Sequence, residues 1–322
     1  MKNVKTDSLP VPGANLHYEV RGSGPVLLLI CGGVYDAAGY AALADRLADR
    51  YTVVTYDRRG NSRSPLDGPP EPQSIAVHGD DAYRLLTAMG VTGDEPARVF
   101  GNSSGAMIGL ELAARHPGRV HTLVAHEPPV FELLPERDRW RALARDVADA
   151  FRAEGAEAAG RVFEAGYAAN AGAMEDAAGT AAPGETADAA DAGTTRNAAA
   201  AADADGGGER ERIPGGADAP QGEPDAETLE MMARMGRNME FFIGYEVPSF
   251  SGYTPDLDAL HASGTRVVTA VGEASEGEPP HRAALALAER LGGRPEVFPG
   301  DHGGFGAVPE AFAARLREVL QD

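Results

Sequence analysis

The five residues Gly101-Asn102-Ser103-Ser104-Gly105 constrain this chain more than any other stretch, because of what flanks them. Before them, Arg98 to Gly101 reads as a short strand. After them, Ser104 to Arg115 places Met107, Ile108, Leu110 and Leu112 at helical spacing. A G-x-S-x-G pattern at a strand-to-helix turn uses small residues where a larger one would clash, and leaves the central serine exposed on a strained backbone. In a chain with 40 glycines the pattern alone says little, since any glycine-bounded turn could carry it. With a strand before it and an amphipathic helix after it, the pattern reads as a nucleophile elbow with Ser103 as nucleophile. Ser104 is then the first helical residue, with its backbone N–H placed to receive a developing oxyanion.

The same alternation runs through both ends of the chain. Val26 to Cys31 is a continuous apolar run, suited to a strand buried on both faces. Leu16 to Val20, Tyr51 to Tyr56, Val120 to Ala125, Thr265 to Val271 and Glu296 to Phe298 also read as strands. Helical stretches are Ala37 to Arg50, Ser74 to Met89, Pro280 to Leu291 and Val308 to Leu320. Strands alternating with helices predict an α/β fold, a mostly parallel sheet with helices on both faces. The alternation stops between residues 131 and 251. Phe131 to Ala168 is helical and rich in charge, and Thr228 to Phe242 is helical again. Residues 1–130 and 252–322 are therefore expected to form the core, with 131–251 an inserted, mainly helical cap.

Inside that insertion, residues 171–225 reduce to Ala, Gly, Asp and Glu. They hold twelve acids and three arginines, about half of the net charge of −20. Having almost no large apolar side chains, such a segment cannot offset its ordering entropy by burial, and it is expected to be mobile. So acidic a chain repels phosphate backbones and anionic lipid, which argues against nucleic-acid and membrane-surface partners. The single cysteine, Cys31, rules out an intrachain disulfide and a cysteine zinc cluster, and suits a cytoplasmic location. The first residues lack the apolar run of a signal peptide. Neither a metal nor an organic cofactor is expected.

His302 is the candidate general base. It is the last of eight histidines, in the loop Gly300-Asp301-His302-Gly303-Gly304 after the last strand. Glycines on both sides let its ring reach across the sheet edge, and its order after the serine suits a Ser…acid…His triad. The second oxyanion donor is expected from the turn Cys31-Gly32-Gly33-Val34, with Gly33 preferred and Val34 the alternative.

With these residues in view, the chain resembles the α/β-hydrolase family over nearly its whole length, the insertion excepted. Asp57-Arg58-Arg59-Gly60-Asn61-Ser62 is similar to that family's turn after its second core strand. The fold offers two places for the triad acid. After Thr265 to Val271 the chain reads Gly272-Glu273-Ala274-Ser275-Glu276, with Ser275 where an aspartate would be expected. After the preceding strand it reads His126-Glu127-Pro128-Pro129. A carboxylate at the end of a buried strand is costly unless paired, and His302 Nδ1 would pair it. Glu127 is therefore preferred, with Glu276 as the alternative acid.

The elbow with two consecutive serines, and His126-Glu127 before proline, resemble the zearalenone lactonases, which open a resorcylic macrolactone. That resemblance implies Glu127 as the acid and a small apolar ester or lactone as substrate. Met231, Met232, Met235, Phe241, Phe242 and Tyr245 could line an apolar pocket, although most are expected to pack the cap onto the core. Two further readings use the same fold. One is C–C bond hydrolysis or acyl transfer on the same triad, and the other is a ligand receptor without catalysis.

Overall fold

The computed structural model describes residues 4–179 and 226–321. Eight strands form one sheet: β1 (Lys5–Val11), β2 (Ala14–Arg21), β3 (Val26–Ile30), β4 (Thr52–Tyr56), β5 (Ala97–Asn102), β6 (Val120–His126), β7 (Arg266–Gly272) and β8 (Glu296–Phe298). Their order is β1-β2-β4-β3-β5-β6-β7-β8. From β4 to β8 neighbouring strands are parallel, and the antiparallel pairings are β1 with β2 and β2 with β4. β1 was not expected from the sequence. It pairs only with β2, is mostly exposed, and carries Pro10, so it lacks the apolar run that marks the central strands.

The core helices are α1 (Ala41–Leu47), α2 (Ile75–Ala88), α3 (Ser104–Arg115), α8 (Leu257–Ala262), α9 (Pro279–Arg290), α10 (Gly304–Ala307) and α11 (Pro309–Gln321). Helices α4 (Arg137–Glu154), α5 (Ala156–Gly179), α6 (Ala226–Phe241) and α7 (Val247–Phe250) lie between β6 and β7. Side chains of β3 alternate between the faces. Leu27 and Leu29 pack with Leu43, Phe312 and Leu316 of α1 and α11. Leu28 and Ile30 pack with Leu85, Ile108 and Leu287 of α2, α3 and α9. Burial on both faces is why this strand has no polar alternation.

The insertion is less continuous than its charge pattern suggested. Phe131–Leu133 is a 3₁₀ turn, and Gly155, at φ 86°, separates α4 from α5. A left-handed glycine ends a helix at no steric cost, so one long helix becomes two that pack on each other. Helix α5 continues to Gly179, so the first nine residues of the segment 171–225 are helical. The remainder of that segment, 180–225, lies outside the described residues. Among the described residues no helix is long and apolar enough to cross a membrane.

Candidate active site

The parallel strands deliver their C-terminal ends to one edge, and the candidate residues gather there. Ser103 sits between β5 and α3 at φ 55° and ψ −127°, a backbone that non-glycine residues rarely adopt. The glycines around it explain how it is tolerated. A Cβ on Gly101 would lie 2.4 Å from the Gly105 carbonyl oxygen, one on Gly105 would lie 2.1 Å from that of Ile30, and one on Gly32 would lie 2.4 Å from that of Asn102. Backbone fills the space that side chains would need, so the elbow can be this tight only with glycine at all three positions.

Glu127 directly follows β6 in a second strained conformation, φ 46°, with its side chain fully buried. Its Oε2 lies 2.6 Å from His302 Nδ1. Its Oε1 accepts from the Gly272 N–H at 2.9 Å and from the Ser275 hydroxyl. Ser275, at the fold's usual acid position, thus supports a carboxylate supplied by the neighbouring strand. Sequence reasoning noticed the missing aspartate but not this role. Glu276 is exposed on the same turn. Burial pushes the Glu127 carboxyl up, but the hydrogen bond and charge of His302, then His126 and Ser275, outweigh it and hold its pKa at about 2.

Asn102, the residue before Ser103, gives both of its amide hydrogens to the site. One goes to His126 Nδ1 at 3.0 Å and the other to the His302 carbonyl at 3.0 Å. This arrangement makes His126 Nδ1 an acceptor, so the ring proton sits on Nε2. Burial drives the pKa of His126 down to about 4, so the ring is neutral at pH 7. Nothing in the sequence marked Asn102, since the x of G-x-S-x-G is unconstrained. Its amide holds the backbone of His302, whose ring lines the same cavity as Ser103. Asn102→Ala should lower kcat about 10-fold through displaced His302, because small misplacements at a reacting centre are costly. The measurement is steady-state hydrolysis, alongside a melting curve to confirm folding.

Both buried groups have folded pKa values below their unfolded ones. Each therefore contributes stability that is complete above its unfolded pKa and is lost as pH falls toward the folded one. For His126 that window runs from about 6.5 down to about 4, and for Glu127 from about 4.3 to about 2. The melting midpoint should therefore fall steadily as pH is lowered from 7 to 4. A midpoint that stays level over that range would contradict the buried neutral His126.

The oxyanion donors differ from expectation in one respect. The Gly33 N–H is already engaged, donating to the Ser104 hydroxyl oxygen at 3.0 Å. Ser104 opens α3, where backbone N–H groups lack partners within the helix. Gly33 and the start of α3 are therefore adjacent, with the Ser104 hydroxyl on the donor that an oxyanion would take. A charged oxygen accepts more strongly than a neutral hydroxyl, so the exchange favours an oxyanion when one forms.

Ser103, Ser104 and His302 line one cavity of about 240 Å³. Met107, Pro129, Phe131, Phe163, Tyr167, Phe242, Val247, Phe250 and Pro280 line the rest, with Ser251, and among the described residues none of the lining side chains is Asp, Glu, Lys or Arg. Of the residues named from sequence for an apolar pocket, Phe242 lines it; the Met231 side chain lies outside the described residues. Met232 is 57% exposed, and Phe241 packs on Gly60 instead. The aromatic residues Phe163 and Tyr167 come from α5.

The sequence profile of the α/β-hydrolase fold matches residues 25–203. An uncharacterized hydrolase of Bacillus subtilis, YraK, is 34% identical over 99% of this chain and 97% of its own length. Among solved structures, a thermophilic esterase from Thermogutta terrifontis superposes with a TM-score of 0.62 at 19% identity, covering 98% of both chains. An enol-lactonase from Burkholderia xenovorans does so at 0.56 and 16% identity, covering 98% of this chain and 100% of its own. At such identities the two structures share the fold and no more. The matched profile and the full-length bacterial relative place this chain in the α/β-hydrolase family.

Proposed function

We propose that this chain hydrolyses a carboxylic ester or lactone through Ser103, His302 and Glu127. The carrying observation is the 2.6 Å contact of His302 Nδ1 with buried Glu127, on a histidine that shares its cavity with Ser103. Glu127 holds the ring with its proton on Nδ1, which leaves Nε2 free to accept. Ser103 Oγ attacks the carbonyl carbon while His302 Nε2 takes its proton. The Ser104 and Gly33 N–H groups receive the oxyanion. As the tetrahedral adduct collapses, His302 returns the proton to the departing alkoxide oxygen. In a lactone that alcohol stays attached to the acyl group. Water, deprotonated by His302, then cleaves the acyl-enzyme and restores Ser103.

The cavity supports a neutral, apolar substrate. Aromatic and aliphatic walls, with no Asp, Glu, Lys or Arg among the described lining residues, reward burial of apolar area. A macrolactone such as zearalenone has that character and is the specific substrate proposed. A fluorophosphonate should label Ser103. A panel of esters and lactones that includes zearalenone, read by mass spectrometry, should show a mass gain of one water on a lactone. A chain that takes no label and turns over nothing would be a receptor on this fold. Turnover of short esters with zearalenone untouched would remove the macrolactone and keep the hydrolase.

A further inference from the structure

The turn that carries the second oxyanion donor is held largely by the inserted helices. The amide of Gly33 N–H also contains the Gly32 carbonyl, and the Gly32 oxygen accepts from Tyr35 N at 3.2 Å. The next carbonyl, that of Gly33, accepts from Arg58 Nη2 at 2.6 Å. Arg58 is fully buried, and its Nη1 lies 2.7 Å from Oε1 of Glu246, equally buried, in the π-helical turn Phe242–Glu246. The carbonyl after that, of Val34, accepts from Asn238 Nδ2 at 2.9 Å. Asp36, at the end of the turn, pairs with Arg234 Nε at 3.0 Å. Arg234 and Asn238 are one turn apart on α6 and share a face.

Gly33 has φ 52°, and a Cβ placed on it would touch nothing within 4 Å. Glycine is needed there for backbone conformation, and no side-chain packing fixes the direction of its N–H. That direction rests on the bond of the N–H to the Ser104 hydroxyl and on the hydrogen bonds of the turn, three of which originate in the insertion directly or through one arginine. We infer that Arg234, Asn238 and Glu246 are positioning residues for the Gly33 oxyanion donor, so that the docked insertion aims the catalytic turn as well as covering the cavity. The π-helical turn is part of the device, because local unwinding there brings a carboxylate inward against Arg58.

The inference rests on the hydrolytic reading for its kinetic consequence but not for its structural one, and the test separates the two. Full-length wild type, Asn238→Ala and Arg234→Ala are compared, the second being the less buried position, with a melting curve to confirm that each variant folds. Hydrolysis of p-nitrophenyl butanoate gives kcat and KM, and backbone amide exchange is followed on peptides covering residues 31–37 and 100–106. Losing one oxyanion donor outright costs ~10²–10³ in kcat, so a misaimed one should cost about 10-fold, with KM within about 2-fold. Exchange across 31–37 should quicken about 10-fold while 100–106 stays unchanged. A rise in KM at constant kcat would overturn the inference, since the residues would then serve only substrate binding. Unchanged exchange across 31–37 would overturn it too. A wild type inert toward the ester, with quickened exchange in the variants, would refute the hydrolytic reading and uphold the tether.

Discussion

Ser103→Ala should leave the chain folded and reduce ester hydrolysis by on the order of 10³-fold or more, the scale seen when a triad nucleophile is removed. The side chain is small and faces the cavity, so its loss leaves no packed core void. Alanine at φ 55° is as strained as serine, and the glycines that permit the turn are untouched. Loss of activity therefore reports chemistry, which circular dichroism and a melting curve would verify. Ser104→Ala is the comparison. It removes the hydroxyl on Gly33 N–H but keeps the backbone donor, so kcat should change far less. If Ser104→Ala were the inactive variant and Ser103→Ala retained most of its rate, the elbow would be out of register by one residue.

Glu127→Gln should lower kcat by about 10²–10⁴-fold. The carboxylate accepts from Gly272 N–H, the Ser275 hydroxyl and His302 Nδ1. A glutamine can keep its oxygen on Gly272 and Ser275, which turns its NH₂ toward the ring. His302 Nδ1 must then accept, the ring proton moves to Nε2, and the nitrogen facing Ser103 loses its basicity. The imidazolium formed during attack also loses its counter-charge. Glu276→Gln should cost little, because Glu276 is exposed. Assaying both with one ester decides the matter. A dead Glu276→Gln beside a near-normal Glu127→Gln would move the acid to the turn after β7 and remove the best support for the zearalenone lactonase resemblance. Ser275→Ala should fall between them, since it withdraws one of three donors from Glu127 without changing its charge.

What the sequence by itself determined was whatever depends on neighbours along the chain. The run of β3, the elbow glycines and the amphipathic spacing of α3 are local, and they led to the parallel sheet and to Ser103. Position after the last strand was enough to select His302. The acid was only half legible. Both Glu127 and Glu276 follow sheet strands, and choosing between them requires knowing which carboxylate reaches a ring 175 residues away in sequence. The tertiary structure favours Glu127 by burying it against His302 Nδ1, Gly272 N–H and the Ser275 hydroxyl, while Glu276 is exposed. Asn102 was invisible for the same reason, because its two partners come from β6 and from the His302 loop. The cavity walls were not legible, because helical periodicity shows that a helix has an apolar face without showing what it faces. Only packing put Phe163 and Tyr167 on the cavity, left Met232 in solvent, and tied α6 to the turn at Gly33. Short-range patterns fix which elements form, whereas contacts between distant segments fix which side chains meet, and the chemistry proposed here depends on the second.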